Sequence, residues 1–548
     1  MTSWVLGLNG PPIGWHDAAA CLISGDGTVV AYSEEERFNR KKHSPYEPPR
    51  QSAQFCLDTA GITLADVDIV AYGWDLPHMW PRYGHTWEGQ DTIDQMLGKW
   101  LGWKPGDQRP EVVFVQHHHA HACSTFYGSP YEEAAILIND GNGEDESISL
   151  YSGSRDKGPV FLHSWPRSHS LGYLYDATSR ACGMSFLEAG KTMGLAAFGA
   201  ARDVEPWPTM RFDGELFEPP FSFDGNPDYK QVVGAWLGVF EQYGSFPVET
   251  ATSRLVDDEA AVRIAWSAQA GVEEAIARLA AHARRETGLD ALCMAGGVAL
   301  NCSANGKLPE PVYVPPVPHD AGVALGAAWS VCPPTGPPAE LSPYLGLAID
   351  PSDVGATLDG AGLGVPVAAT TEAVVERLRR GLVGAIAHGR AEVGPRALCH
   401  RSLLAVPDAV SVRDDVNKRK GRELWRPLSP VALASTGGDL WPSRPSLHHY
   451  MLGATQVADE RRASVPAVVH VDGTARVQAI EEGEPVADYL RALESAGLPP
   501  VLINTSFNTR GEPVVNTAAE ALSSAQAIGV DFLVLEDQLV DLDGYSRS

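Results

Sequence analysis

The residues best suited to chemistry stand at Val113-Phe114-Val115-Gln116-His117-His118-His119-Ala120-His121, where an apolar strand pattern runs into a predicted helix start. At helical spacing His117 and His121 (i, i+4) share one face and offer two imidazoles to one metal ion; His118 and His121 (i, i+3) are a competing pair. No Glu follows the first histidine as it does in a zincin, which argues against a metallopeptidase. With no metal, the same run is a histidine-rich helix start. Gly296-Gly297-Val298-Ala299-Leu300-Asn301 follows an apolar run, where glycines let the backbone approach a ligand or serve a plain turn. A second concentration of chemistry is basic. Residues 413–426 hold six basic and three acidic side chains, with Arg390, Arg396 and Arg401 shortly before them. Such a cluster is either a solvated face or a site for phosphate, which guanidinium groups grip bidentately.

The elements that must position these groups show one pattern twice. An apolar run at 4–8 leads into a Gly/Pro loop at 10–14, and strands at 18–24 and 28–33 flank Gly25-Asp26-Gly27, a hairpin signal. The pattern returns with a strand at 134–139, a tight loop Asp140-Gly141-Asn142-Gly143-Glu144, a returning strand at 147–151 and a third near 160–164. Val272, Ile276, Leu279 and Ala283 repeat at helical spacing, closed by Arg284-Arg285 and Gly288, and a strand at 291–294 runs into Gly296. Residues 333–352, rich in Pro and Gly, read as a linker. Beyond it helices at 371–380, 486–496 and 518–528 precede strands at 383–387, 501–504 and 531–535. Two domains are expected, residues 1–350 and 368–548, with the boundary at 350–368.

Composition narrows the function classes. A chain of 548 residues is too long for one hydrophobic core, and 44% apolar with 20% charged residues is ordinary for a globular protein. No apolar run reaches the roughly 20 residues a membrane helix needs. The first basic residue is Arg37, so the start lacks the basic segment of a secretory signal. Eight cysteines without a Cys-x-x-Cys pair argue against a zinc ribbon, a redox dithiol or a disulfide scaffold. A cytoplasmic enzyme with reduced cysteines is expected. A net charge of −27 disfavours a nucleic-acid partner.

Taken together and in order, the motifs resemble the O-carbamoyltransferases that modify nodulation factors, cephems and aminoglycosides (the NodU/CmcH-type family). The resemblance rests on His16-Asp17-Ala18-Ala19, Glu34-Glu35-Glu36-Arg37-Phe38 through His43, the His117-to-His121 step and Asp140-Gly141-x-Gly143-Glu144. It continues in Gly190-Lys191-Thr192-Met193-Gly194-Leu195-Ala196, Gly296-Gly297-Val298 and Asp320-Ala321-Gly322. It implies an α/β protein: a duplicated actin-like (ASKHA) N-terminal domain, shared with tRNA threonylcarbamoyl-transfer proteins, and a C-terminal YrdC-like domain. His117, His121, Asp140 and Asp320 would then bind a divalent metal, Fe(II) by the resemblance, although ligand type alone leaves zinc and manganese open. Gly141, Gly143, Gly296, Gly297, Asn301 and Lys191 would contact nucleotide, ATP with or without magnesium. Lys420-x-Arg422 with Ser506-x-Asn508 is the YrdC-like signature. These four, with Arg396 in Gly-Pro-Arg-Ala-Leu and Arg426 in Glu-Leu-Trp-Arg-Pro, would bind carbamoyl phosphate and the nucleotide phosphates.

The reaction so implied joins carbamate to the α-phosphate of ATP, giving carbamoyl-adenylate, and passes the carbamoyl group to a hydroxyl of a small natural product of antibiotic type. His16, or less favourably Asp17, would take the hydroxyl proton, and a loop-packing role for His16 weighs equally. Aminoglycoside, macrolide sugar, β-lactam precursor and nodulation oligosaccharide all stay open as acceptors. One departure is Cys399-His400, where Gly-Asn is expected before Arg401-Ser402; altered packing is its expected effect. A tRNA-modifying enzyme is disfavoured by charge and by the lack of a basic tail. A hydrogenase-maturation enzyme would need Cys-x-x-Cys zinc motifs. A non-catalytic actin-like ATP-binding protein would leave Lys420-x-Arg422 and Ser506-x-Asn508 unexplained.

Overall fold

The computed structural model describes residues 3–542 apart from 186, 213–215, 245, 360–362 and 364. Strands β1 (Trp4–Asn9), β2 (Ala19–Ser24), β3 (Val29–Glu34), β4 (Ile69–Tyr72) and β5 (Glu111–Phe114) form one sheet in the order β3-β2-β1-β4-β5. Strands β6 (Glu133–Asn139), β7 (Glu146–Ser154), β8 (Gly158–Pro166), β9 (Leu292–Ala295) and β10 (Val312–Tyr313) form a second in the order β8-β7-β6-β9-β10. In both sheets the first three strands pair antiparallel and the last two join parallel. One topology is used twice, the duplication that the actin-like expectation requires. Strands β1, β2 and β6 are buried along almost their whole length, so they read as continuous apolar runs and not as alternating ones.

Two helices lie between these sheets. The Gly322–Val331 helix packs on β1, β2 and β4, the His117–Tyr127 helix on β6, β8 and β9, and the two pack on each other. Their backbones meet at Gly326, where a Cβ would stand 1.8 Å from the Ala120 carbonyl oxygen, so only glycine permits the approach. This crossing sets His117 beside Asp320. Most of the other chemistry sits just past strand ends: Trp74 after β4, His117 after β5, Asp140 after β6 and Gly296 after β9. Those are carboxyl ends of parallel-paired strands, where open α/β sheets place ligands.

The third sheet has eight strands, in the order Val367–Ala368, Gln538–Asp541, Phe532–Leu535, Gly384–Ala387, Arg401–Ala405, Val501–Ser506, Ser429–Leu433, Gln478–Ile480. Helices Thr371–Arg379 and Ala487–Ser495 cover one apolar face, and Pro351–Asp359 with Ala518–Ile528 the other. The helix expected around 272–283 is much longer, Glu259–Thr287, because Asp258 caps its first N–H groups (3.0 Å to Ala260 and Ala261) and nothing breaks it before Gly288. The basic segment at 413–426 is the end of helix Val410–Arg419 and a turn through Gly421.

This last unit is bolted to the first through backbone groups. Glu34 accepts the Gly394 N–H (2.5 Å) while Arg37 donates to the Gly394 carbonyl (2.7 Å). Arg40 donates to the carbonyls of Val514 (2.7 Å) and Pro513 (3.0 Å). Among the described residues no helix is long and apolar enough to cross a membrane.

Candidate functional site

Four side chains converge between the first two sheets. One ligand atom from each of His117, His121, Asp140 and Asp320 lies within 4.8 Å of all the others. Asp140 Oδ2 stands 3.4 Å from Nε2 of both histidines, and Asp320 Oδ1 3.7 Å from His117 Nε2 and 3.9 Å from His121 Nε2. His117 Nδ1–H donates to the Gly73 carbonyl (3.1 Å) and its ring stacks on Trp74 at 3.6 Å, which fixes the tautomer and aims Nε2 at the cluster. The other Asp140 oxygen accepts the N–H groups of Gly141 (2.7 Å) and Gly297 (2.9 Å). Gly296, at φ +93°, is where a Cβ would meet the Asn139 carbonyl oxygen at 2.3 Å, so the two glycines bring their turn against Asp140.

These groups fit a divalent cation. Both nitrogens of the fully buried His121 lack a hydrogen-bond partner, and His121 Nε2 faces two carboxylates. Burial disfavours charge on His16, yet Asp17, Asp320 and Asp140 raise its pKa to about 9, a surplus of negative charge that a divalent ion would balance. His118 is turned elsewhere: its Nδ1 is 2.7 Å from Ser149 Oγ, and its ring centre is 6.4 Å from that of His121 against 4.7 Å for His117. Gly143 makes room for it, since a Cβ there would stand 2.8 Å from the His118 ring. We expect His118→Gln to keep its full metal content by elemental analysis and to lose no more than roughly 1–3 kcal/mol of stability; a metal-free variant would make His118 the ligand instead.

Glu144 does not join the cluster. Its carboxylate takes the N–H groups of His117 (2.9 Å) and Asp75 (3.0 Å), capping the helix that carries both histidines. His16 and Asp17 lie alongside: His16 Nδ1 is 2.8 Å from Asp17 Oδ2 and 4.0 Å from Asp320 Oδ2, and His43 Nδ1 is 2.7 Å from Asp17 Oδ1.

The second constellation lies at the carboxyl end of strand Val501–Ser506, inside the third sheet. Lys420 is buried and donates to the carbonyls of Ser506 and Asn508 and to Asn508 Oδ1 (3.1 Å). Arg422 donates to Thr505 Oγ1 (3.1 Å) and Ser506 Oγ (3.3 Å), and Ser506 donates to Asn508 Oδ1 (2.6 Å). Burial together with Arg422, Arg426 and Lys42 holds the Lys420 ammonium well below its usual range. Burial, Arg426 and Arg476 pull Arg422 down to about 9; burial, Arg476 and Arg426 do the same to Arg396. Six cations thus crowd one spot in an acidic protein, and a polyanion is what relieves them. Lys42 and Arg476 were not recognised as members from sequence. Lys42 does fall inside the Glu34-to-His43 segment, but nothing in the sequence around Arg476 points here.

The chain belongs to the carbamoyltransferase family. Residues 92–329 match the family model described as carbamoyltransferase N-terminus, and residues 375–541 the one described as carbamoyltransferase C-terminus. Nodulation protein NolNO of Sinorhizobium fredii is 31% identical, over 96% of this chain and 79% of its own. Nodulation protein U of Rhizobium tropici is 34% identical, over 92% of both chains. The 3'-hydroxymethylcephem-O-carbamoyltransferase of Amycolatopsis lactamdurans is 28% identical, over 95% of this chain and 97% of its own.

Not every residue singled out from sequence reaches a site of this carbamoyltransferase in the same way. Lys191 is committed to ion pairs with Glu188 (2.6 Å) and Glu423 (3.1 Å). The Asn301 amide bonds to Gln269 and caps Ala304. Both make these contacts within the protein frame. Arg401 is wholly buried, its guanidinium spent on the carbonyls of His388, Gly389, Leu347 and His400, and Arg390 is spent on Gly346, Leu345 and Val30. Cys399 keeps the left-handed backbone (φ +78°) expected of glycine, and His400 stacks on Tyr344 at 3.7 Å; the departure there is absorbed in packing. Arg396 reaches the turn Gly297–Leu300 beside Asp140, donating to the Leu300 carbonyl at 3.5 Å.

Proposed function

We propose that the chain is an ATP-dependent O-carbamoyltransferase working in two steps at two adjoining sites. The division falls between residues 350 and 368, with an actin-like unit before it and a YrdC-like unit after it. The observation that carries the reading is the turn Gly297–Leu300: its first N–H holds Asp140, and its last carbonyl accepts Arg396. In the first step Lys420, Arg422, Arg426 and Arg396 hold the phosphates of carbamoyl phosphate and ATP. Water takes the phosphoryl group of carbamoyl phosphate, releasing phosphate and carbamate, and a carbamate oxygen then attacks the α-phosphate of ATP to give carbamoyl-adenylate and pyrophosphate. Cations fixed before the reaction need no reorganisation as charge builds on the transferring phosphoryl group. Ser506 and Asn508 orient the small carbamoyl group.

In the second step the adenylate is attacked by an acceptor hydroxyl beside His117, His121, Asp140 and Asp320, and AMP leaves. Those four would hold a divalent ion, Fe(II) in our reading, which supplies Lewis-acid charge for the adenylate phosphate. The Gly141 and Gly297 amides keep Asp140 in place. Asp17 Oδ2 holds His16 by Nδ1 and leaves Nε2 as the nitrogen for the hydroxyl proton; a divalent ion held beside it would offset the carboxylates that otherwise keep this imidazole protonated. The acceptor is a hydroxylated natural product. Wild-type protein given carbamoyl phosphate and ATP should release pyrophosphate, and a panel of hydroxylated natural products should then show a mass gain of one carbamoyl group. Release of ADP with no pyrophosphate would sink the adenylate route.

A further inference from the structure

The six cations around Lys420 have one carboxylate in their midst. Among the described residues, Glu423 is the only acidic side chain within 4.0 Å of any of them: its Oε2 stands 3.9 Å from Arg426 Nη1. It is nearly buried and directly follows Arg422 in the chain. A carboxylate at this place competes with phosphate, because both accept from a guanidinium fork. At 3.9 Å that competition is not engaged. The distance is too long for a hydrogen bond, and the Arg426 guanidinium donates to no described residue.

What holds Glu423 back belongs to the first unit. Lys191, on the helix Ala189–Ala201, donates to Glu423 Oε1 at 3.1 Å and also pairs with Glu188 at 2.6 Å. Burial works against a charge on Glu423, yet its own backbone N–H, Lys191 and Arg426 hold the carboxyl below its usual range. The backbone of the turn is fixed against the same helix. Trp425 is buried there, its Nε1–H donating to the Thr252 carbonyl (3.0 Å), and a Cβ on Gly194 would lie 3.5 Å from its ring. Asn417 holds the Arg426 carbonyl at 2.8 Å. With the turn so pinned, the freedom left is in the Glu423 side chain, and Lys191 decides where it points.

We propose that Lys191 is a positioning residue for the donor site: it draws the Glu423 carboxylate away from Arg426 and so leaves that guanidinium free for phosphate. The proposal rests on the reading that these cations take the phosphates of donor and nucleotide, and it gives the first unit a part in the first step. Without the ammonium, the cations nearest to Glu423 are Arg426 and Arg510, each at 3.9 Å. A small rotation closes the Glu423–Arg426 pair, and phosphate must then displace an internal anion. Such competition lowers affinity and is overcome at saturation, so it raises KM and spares kcat.

The test measures binding of inorganic pyrophosphate by calorimetry on the full-length protein, with KM for carbamoyl phosphate and kcat read from pyrophosphate release. Lys191→Met should bind pyrophosphate roughly 10–100-fold more weakly, the worth of one hydrogen bond to a charged group. Its KM should rise to match, with kcat within about twofold of wild type. Lys191→Arg should stay near wild type. Glu423→Gln alone should bind at least as tightly as wild type, and Lys191→Met/Glu423→Gln should return to it, because an amide competes poorly for a guanidinium. A double variant as weak as Lys191→Met would mean that Lys191 meets the phosphate itself, and would overturn the proposal. So would unchanged binding by Lys191→Met, or none by wild type. If Lys191→Met does not fold, Glu423→Gln decides alone, since an affinity below wild type contradicts a competing carboxylate. Pyrophosphate release by wild type tests the adenylate route separately: its absence, with the binding pattern intact, would sink that route and leave Lys191 in its role.

Discussion

Arg422→Ala should lower pyrophosphate release from carbamoyl phosphate and ATP by roughly 10²–10³-fold, the range seen when one preorganised charge donor is removed from a transition state. The protein should fold and melt close to wild type. Arg422 sits among Arg426, Arg476 and Lys420, so its loss relieves repulsion and costs only two hydrogen bonds to hydroxyls. That combination, a large kinetic effect with little change in stability, separates a functional cation from a structural one. Arg401→Ala offers the contrast: its guanidinium satisfies four buried carbonyls, and its removal is a stability defect first. Near-normal pyrophosphate release by Arg422→Ala would remove the donor site from this place.

His121→Ala should lose most of the bound metal and nearly all transfer to an acceptor, yet still make carbamoyl-adenylate. His121 belongs to the four-residue cluster, whereas the reaction proposed above assigns adenylate synthesis to Lys420, Arg422, Ser506 and Asn508, all on the third sheet or the turns beside it. Metal content by elemental analysis, pyrophosphate release and acceptor carbamoylation are to be read from one preparation. Full metal in the variant would mean that the ligand pair is wrong. Loss of pyrophosphate release in a folded, metal-depleted variant would defeat the division of labour, since both steps would then depend on one centre.

Much of this arrangement was legible from residue order. The apolar runs with glycine loops marked β1, β2, β6 and β9, because strands buried on both faces are written as unbroken apolar stretches. The spacing of His117 and His121 put both on one helix face. What spacing left open was His118 against His117. That choice is made by Ser149 on β7 and the Gly73 carbonyl after β4, contacts across sheets that no local pattern encodes. Glu144, which closes the Asp140-to-Glu144 motif, is a helix cap, and Asn301 and Lys191 bond to Gln269 and Glu423, partners not visible in the local sequence. The strands Arg401–Ala405, Ser429–Leu433 and Gln478–Ile480 escaped notice: the first two open on Arg-Ser and Ser-Pro, and the third is three residues long. Arg476 enters the cation cluster from the end of strand Thr474–Arg476, which pairs with Ala454–Gln456 in a two-stranded sheet that the sequence did not announce.

If ATP binds where the reaction proposed above puts it, the crowding of Lys42, Arg396, Lys420, Arg422, Arg426 and Arg476 in a chain of net charge −27 makes that association a contest between two ranges of force. Far from the pocket an incoming nucleotide meets a field of its own sign; within a Debye length of the pocket, about 8 Å at physiological ionic strength, it meets the opposite one. Added salt weakens the outer repulsion first and the inner grip later. Encounter and retention therefore respond to ionic strength in opposite directions, and the rate of capture passes through a maximum where the first has been screened and the second has not.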